Sequence, residues 1–198
     1  MDIINNSNYQ ITLGSASTRR KELLEMTGIK FDINSKPVNE EFPNSLKNKE
    51  IAEHIVKNKS KPFRSIVKDN QIIITADTLV WFEEKCWGKP KDKIEAKNML
   101  KMFAGKIHQV ITSVGFLTST DFKILTESTH VKYKNLTETE IDYYVDSVNP
   151  IDKAGSYGIQ DWIGMIGVEN IKGSYTSVLG LPVPQVTNEI LNIINENL

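Results

Sequence analysis

Cysteine is nearly missing from this sequence: Cys86 is the only one in 198 residues. A single thiol excludes an internal disulfide and fits a reducing compartment. Long apolar runs are missing as well. None approaches the roughly 20 residues of a membrane-spanning helix, so no membrane partner is expected. The opening MDIINNSNYQ is polar, with no basic stretch ahead of an apolar core. No secretory leader is therefore expected, and the cytoplasm is the default location. Neither sign of charge dominates: 24 Lys and Arg face 25 Asp and Glu, for a formal net charge of −1. That removes any bulk case for nucleic acid or an anionic membrane, and it confines a polyanion site to a local patch. Histidine is scarce, and His54, His108 and His130 show no metal-ligand spacing. His108 opens a strand and reads as structural. No nucleophile elbow, zinc-protease motif, Walker A loop or dinucleotide fingerprint is present.

What remains is an ordinary globular composition, 39% apolar and 25% charged. No repeat or linker divides it, so one domain over residues 1–198 is expected. Patterning predicts strands at 9–13 and 29–34 and helices at 17–27 and 48–60. An apolar strand from Gln71 ends at Thr75, and hairpin arms at 79–82 and 86–87 flank an EEK turn. Asp92 with Glu95 reads as a capping box for a helix at 92–103, and Thr137 with Glu140 as another for a helix ending near Ser147. Two long strands lie between, at 107–118 and 122–134. Residues 149–181 are rich in glycine and turn formers. Pro182 and Pro184 introduce a last helix running to the C-terminus. Alternating strands and helices predict an α/β fold with a mixed sheet.

Four stretches could carry chemistry. In LGSASTRRKELLE, the small residues Gly14, Ser15, Ala16 and Ser17 let backbone N–H groups and hydroxyls approach a ligand. Arg19, Arg20 and Lys21 then occupy the first helical turn, at the positive end of the helix dipole. That placement costs a few tenths of a kcal/mol per charge unless an anion sits there, although a surface helix that tolerates basic residues accounts for the segment alone as well. In QIIITADTLVWFEEKCWGKP, a strand runs into Asp77 and Thr78. A desolvated carboxylate there suits metal binding or general-base work, or simply an Asx turn. Downstream, Pro90 fixes the chain after Lys89. In DKAGSYGIQDW, Lys153 offers a cation. Gln160 offers a donor and an acceptor in one plane, able to read a base edge, although a plain glycine-rich turn accounts for the stretch equally well. In PVNEEF, Glu40 and Glu41 read alone as solvated surface carboxylates. Cys86 reads as a buried, inert thiol. Trp81, Trp87 and Trp162 read as core or cleft wall.

Taken in order, the blocks LGSASTRRKELLEMTGIKF, VNE, ADTLV, GKP, AKNMLKMFAGKIHQVITSV, YVDSVNPIDKAGSYGIQ and IKGSYTSVLGLPV resemble the Maf family of nucleoside triphosphate pyrophosphatases over nearly the whole chain. The resemblance implies a two-lobed Maf/inosine-triphosphatase-like α/β fold, with a long mixed sheet flanked by helices and a central cleft. It implies hydrolysis of a nucleoside triphosphate to monophosphate and pyrophosphate with a divalent cation, Mg²⁺ or Mn²⁺. Arg19, Arg20, Lys59, Lys89 and Lys153 would hold the triphosphate, at a loop that includes Ser15. Asp77 would accept the proton, Glu40 would help bind the metal with Asp77, and Arg19, Thr78 and Gln160 would tune base choice. A homodimer is compatible with the family.

A glutamine amide can accept from the N3–H of uracil or thymine and donate to O4, whereas the guanine edge suits a carboxylate. The branch resembling 7-methyl-GTP pyrophosphatases carries an acid at this position. With Gln160 and the Asp77-Thr78 pair the chain resembles the dTTP/UTP branch, with 7-methyl-GTP or a broad range of nucleotides as the alternative. Two departures bear on the site. Thr18 replaces a usual proline and is expected still to cap the helix. Asn39 replaces a usual aspartate, removing one negative charge beside the expected metal site. A nucleotide-binding regulator of cell division is the rival from outside enzymology. It would need the cations but no water-activating carboxylate.

Overall fold

The computed structural model describes residues 1–196, so positions 197 and 198, expected to end the last helix, lie outside the described residues. In chain order the elements are α1 (Asp2–Asn5), β1 (Gln10–Leu13), α2 (Thr18–Glu25), β2 (Asp32–Ile33), α3 (Lys49–Ser60), β3 (Gln71–Phe82), β4 (Lys85–Trp87), α4 (Lys93–Phe103), β5 (Ile107–Leu117), β6 (Phe122–Tyr133), α5 (Glu138–Val148), α6 (Trp162–Gly167), β7 (Val168–Lys172), α7 (Tyr175–Val178) and α8 (Val183–Glu196). The strands form one seven-stranded sheet in the order β2-β1-β3-β5-β6-β7, with β4 paired to β3. β1 runs parallel to β2 and β3, and every other pairing is antiparallel. This is the mixed α/β sheet flanked by helices that the patterning predicts.

The helices start where local chemistry lets them. Thr137 and Glu140 form the reciprocal capping box at α5, and burial of Ile141, Tyr144 and Val145 seats that helix. At α4 only half the expected box forms. The Asp92 side chain accepts from Glu95 N, but the Glu95 carboxylate accepts from Lys91 N instead of the cap residue. At α2 the cap is Ser17, whose hydroxyl accepts from Arg20 N. Thr18 is the first helical residue and not the cap. It stands at the position where proline is favoured, which explains how the two can exchange there.

Two strands depart from expectation. The predicted strand at 29–34 shrinks to two residues, because only Asp32 and Ile33 pair with β1 while Ile29 is buried in the core. The strand entering Asp77 does not stop at Thr75. β3 runs on for twelve residues, with Asp77 in its middle. The cause lies in the neighbour: β5 pairs continuously from Ile73 to Trp81, so the polar Thr-Ala-Asp-Thr stretch is held as strand by its partner.

β3 positions everything that follows. Its alternating side chains divide between two faces. On one face Leu79 packs with Ile51, Ala52 and Ile55 of α3 and with Ile111. On the other, Ile72, Ile74 and Ala76 join β1, α2 and α8 in one cluster, whereas Val80 and Phe82 join α4 and α5 in a second. Thr78 lies at the seam between those two clusters. The flank of β3 is also interrupted. β1 pairs with Gln71–Ile74 and β4 with Val80–Phe82, and among the described residues no strand covers 75–79 on that side. A bare central edge opens into a cleft that both faces can reach.

Candidate active site

The cleft encloses about 820 Å³, within the range of small-molecule sites. Its floor is β3, whose bare edge supplies Asp77, Thr78 and Leu79, with Val80 next to them. The loop from β1 into α2 forms one wall. Gly14 is needed there for close approach: its N–H donates to Ile74 O at 2.7 Å, and a Cβ would lie 3.0 Å from Thr75 Cγ2. Ser15 Oγ accepts from Ser17 N at 3.3 Å and from Arg20 Nη1 at 3.4 Å. The opposite wall is Gly88, Lys89 and the 152–154 segment, tied together by Gly155 N donating to Gly88 O at 3.0 Å.

Asp77 is buried, and its Oδ1 lies 2.8 Å from Lys59 Nζ. The same ammonium lies 2.9 Å from Glu40 Oε1 and donates to Ala76 O at 3.4 Å. Lys59 is therefore engaged by two carboxylates. Its own side chain is 15% exposed while that of Glu40 is 58% exposed, so the pair is tight on the Asp77 side and open on the Glu40 side. Asn39, beside Glu40, turns its amide to the Glu41 carboxylate at 2.9 Å and accepts from Glu41 N. Lys153 is 12% exposed and lies 3.1 Å from Asp152 and 3.8 Å from Asp161. Arg19 and Lys89 line the cleft without an ion-pair partner among the described residues.

Arg20 is the most constrained cation. Its Nε donates to Gly180 O at 2.9 Å and its Nη2 to Thr78 Oγ1 at 3.2 Å. Gly180 has φ +113, a conformation that favours glycine and lets its carbonyl meet the guanidinium. Burial lowers the Arg20 pKa from its ordinary value, and the charges of Asp77 and Glu40 oppose that shift. Six cations and three carboxylates line the cleft, giving a local positive excess in a chain of net charge −1. The overall charge balance confines any polyanion site to such a local patch.

Of the residues expected from the sequence, Ser15, Arg19, Arg20, Glu40, Lys59, Asp77, Thr78, Lys89 and Lys153 all line this cleft. Gln160 does not; it is exposed, just ahead of α6. Sequence reading missed Lys36, which lines the cleft ahead of Pro37 and carries the same Lys-Pro signal that marked Lys89. It also missed Asp161, which accepts from Tyr144 Oη at 2.7 Å and faces Lys153. His108 has the structural role expected of it. It is buried between the rings of Phe103 and Tyr133, its Nε2 lies 2.7 Å from Tyr157 Oη, and burial pushes its pKa down to about 3.

Fold and cleft together define an α/β protein that can hold a polyanion beside a buried carboxylate. The chain belongs to the Maf family: the model described as Maf-like protein matches residues 10–193. A relative from Christiangramia forsetii named dTTP/UTP pyrophosphatase is 45% identical, covering 95% of this chain and 96% of its own. One of the same name from Bacteroides fragilis is 43% identical, covering 95% and 98%. Among solved structures, the Staphylococcus aureus Ham1 protein aligns with a TM-score of 0.47 at 10% identity, over 64% of this chain and 72% of that one.

Proposed function

We propose that this chain is a nucleoside triphosphate pyrophosphatase that hydrolyses dTTP and UTP to the monophosphate and pyrophosphate. The observation that carries the chemistry is Asp77. It is a buried carboxylate on the bare edge of β3, held by Lys59 inside a cleft with excess positive charge. A protein that only binds nucleotides needs the cations but has no use for that carboxylate. Arg19, Lys89 and Lys153 hold the triphosphate from two walls, and the N-terminus of α2 adds backbone N–H donors. Asp77 takes the proton of a water attacking in line. The α–β phosphoanhydride bond breaks, and the departing pyrophosphate carries its negative charge into the cationic wall.

Glu40 and Asp77 suit a hard divalent cation such as Mg²⁺ or Mn²⁺, which takes one or two carboxylates and completes its shell with water and substrate phosphate oxygens. Among the described residues no cluster of three or more His, Cys, Asp and Glu side chains is placed to hold a metal. When bound, the cation neutralises charge developing on the phosphates.

The base preference rests on the names of the relatives and on Thr78, since Gln160 stands outside the cleft. That placement favours a broad-range pyrophosphatase as the second reading. A panel of dTTP, UTP, CTP, 7-methyl-GTP and the purine triphosphates, with Mg²⁺ or Mn²⁺ and separate detection of pyrophosphate and phosphate, tests both. Pyrophosphate from dTTP and UTP above all others is expected. Comparable release from every nucleotide supports the broad-range reading. Orthophosphate as the first product, or no turnover by folded protein, overturns the assignment.

A further inference from the structure

Thr78 reaches the cleft from the seam between the two large apolar clusters, and its hydroxyl belongs to a chain of three contacts. Arg20 Nη2 donates to Thr78 Oγ1 at 3.2 Å. Thr78 Oγ1 lies 2.9 Å from Thr112 Oγ1. Thr112 Oγ1 lies 2.8 Å from the carbonyl oxygen of Ser177. Two oxygens at that separation repel unless a proton lies between them, and each hydroxyl has one proton. The carbonyl of Ser177 has none, so the Thr112 proton must point at it. The Thr78 proton must then point at Thr112. One lone pair of Thr78 is taken by the guanidinium, which donates only. What Thr78 has left for the cleft is a single lone pair. Thr112 and Ser177 are fully buried, so water does not rearrange this order.

We infer that Thr112 is a positioning residue that fixes the Thr78 hydroxyl as a hydrogen-bond acceptor, so that Thr78 receives an N–H or O–H donor from the nucleoside half of the substrate and turns away phosphate oxygens. Phosphate oxygens at neutral pH offer lone pairs alone, and a lone pair facing a lone pair is repulsive. The surroundings agree. On the Thr78 face the cleft is lined by Val80, Val110, Tyr157, Val178 and Leu179, an apolar wall suited to a base or sugar. dTTP and UTP share two such donors, the pyrimidine N3–H and the sugar 3′-hydroxyl. Cytosine has a bare lone pair at N3.

This inference rests on the nucleotide reading above, and its test separates the two. UTP, CTP and 3′-deoxy-UTP are compared for kcat/KM in the wild type, Thr112→Val and Thr112→Ser, alongside calorimetric affinities for UMP, CMP and 3′-deoxy-UMP. Valine keeps the shape and removes the acceptor for the Thr78 proton, freeing that proton to turn into the cleft. If N3–H is the donor, Thr112→Val narrows the UTP-over-CTP ratio by about five- to tenfold, with CTP improving in absolute terms; Thr112→Ser restores the ratio. If the 3′-hydroxyl is the donor, the ratio of UTP to 3′-deoxy-UTP narrows instead. Both ratios unchanged in a folded Thr112→Val, or all substrates falling in proportion, overturns the inference. Should wild type turn over no nucleotide, the enzymatic reading falls, and the same ratios measured with the monophosphates decide this one.

Discussion

Asp77 and Thr78 are adjacent in the chain but belong to opposite faces of β3, and their surroundings differ accordingly. Asp77 shares its face with Leu79, α3 and the ammonium of Lys59, and that part of the cleft carries paired charge. Thr78 shares its face with Val80 and with the Thr112 hydroxyl, which meets the Ser177 carbonyl. That part is apolar apart from these neutral groups and the Arg20 guanidinium, with no carboxylate paired to it among the described residues. One strand can serve two chemistries because its neighbours β1 and β4 leave residues 75–79 uncovered on one flank. On the proposed reading, the alternation that normally separates core from solvent here separates a reacting region from a recognising one.

The largest break in that comparison comes from Asp77→Asn. Loss of the proton acceptor is expected to lower kcat by about 10²- to 10⁴-fold, as for other positioned bases. Nucleotide affinity by calorimetry should persist, and the preference of any residual activity for UTP over CTP should not change. Hydrolysis that survives intact removes Asp77 from the mechanism. Lys59→Met is expected to be milder. It leaves Asp77 and Glu40 in place without the cation they share, and about 10- to 100-fold in kcat/KM is at stake, the usual scale for partners that orient a reacting group. It too should leave base selection alone. A changed UTP-to-CTP ratio in either variant would show that the two faces are not independent.

Much of this architecture was legible in the sequence, and the failures share a cause. The two arginines at the start of α2 stood out because local rules disfavour them there, and local rules need only a few residues of context. The α5 cap was legible for the same reason. Asp77 was placed at a strand end because its neighbours are polar, yet the pairing that keeps it in the strand comes from β5, more than thirty residues away. β7 and α7 went unseen in a glycine-rich stretch because β7 exists by pairing with β6. Thr112 and the Ser177 carbonyl meet across 65 residues, and no spacing rule announces such a contact. The block resemblance grouped the cleft residues well, but it could not show that Lys59 is engaged by two carboxylates or that Gln160 faces outward.

The finest probe of the Asp77 face is Cys86, the lone thiol. It pairs with Trp81 across the β3–β4 hairpin and lines the cleft. Burial first, and the negative charge of Asp77 second, push its pKa up to about 11. Both causes disfavour thiolate, so at pH 8 only about one thiol in a thousand is ionised and reactive. Alkylation by iodoacetamide, followed by mass spectrometry, should be slow at pH 8 and rise close to tenfold per pH unit until the pH nears 11. UTP should slow it further by occupying the cleft. Asp77→Asn removes the smaller cause and should speed alkylation modestly, whereas Thr112→Val, on the other face, should leave it unchanged. Reaction at the rate of a free thiol at pH 8 would place Cys86 in open water, and the charged region of the cleft would then be wider than its lining residues imply.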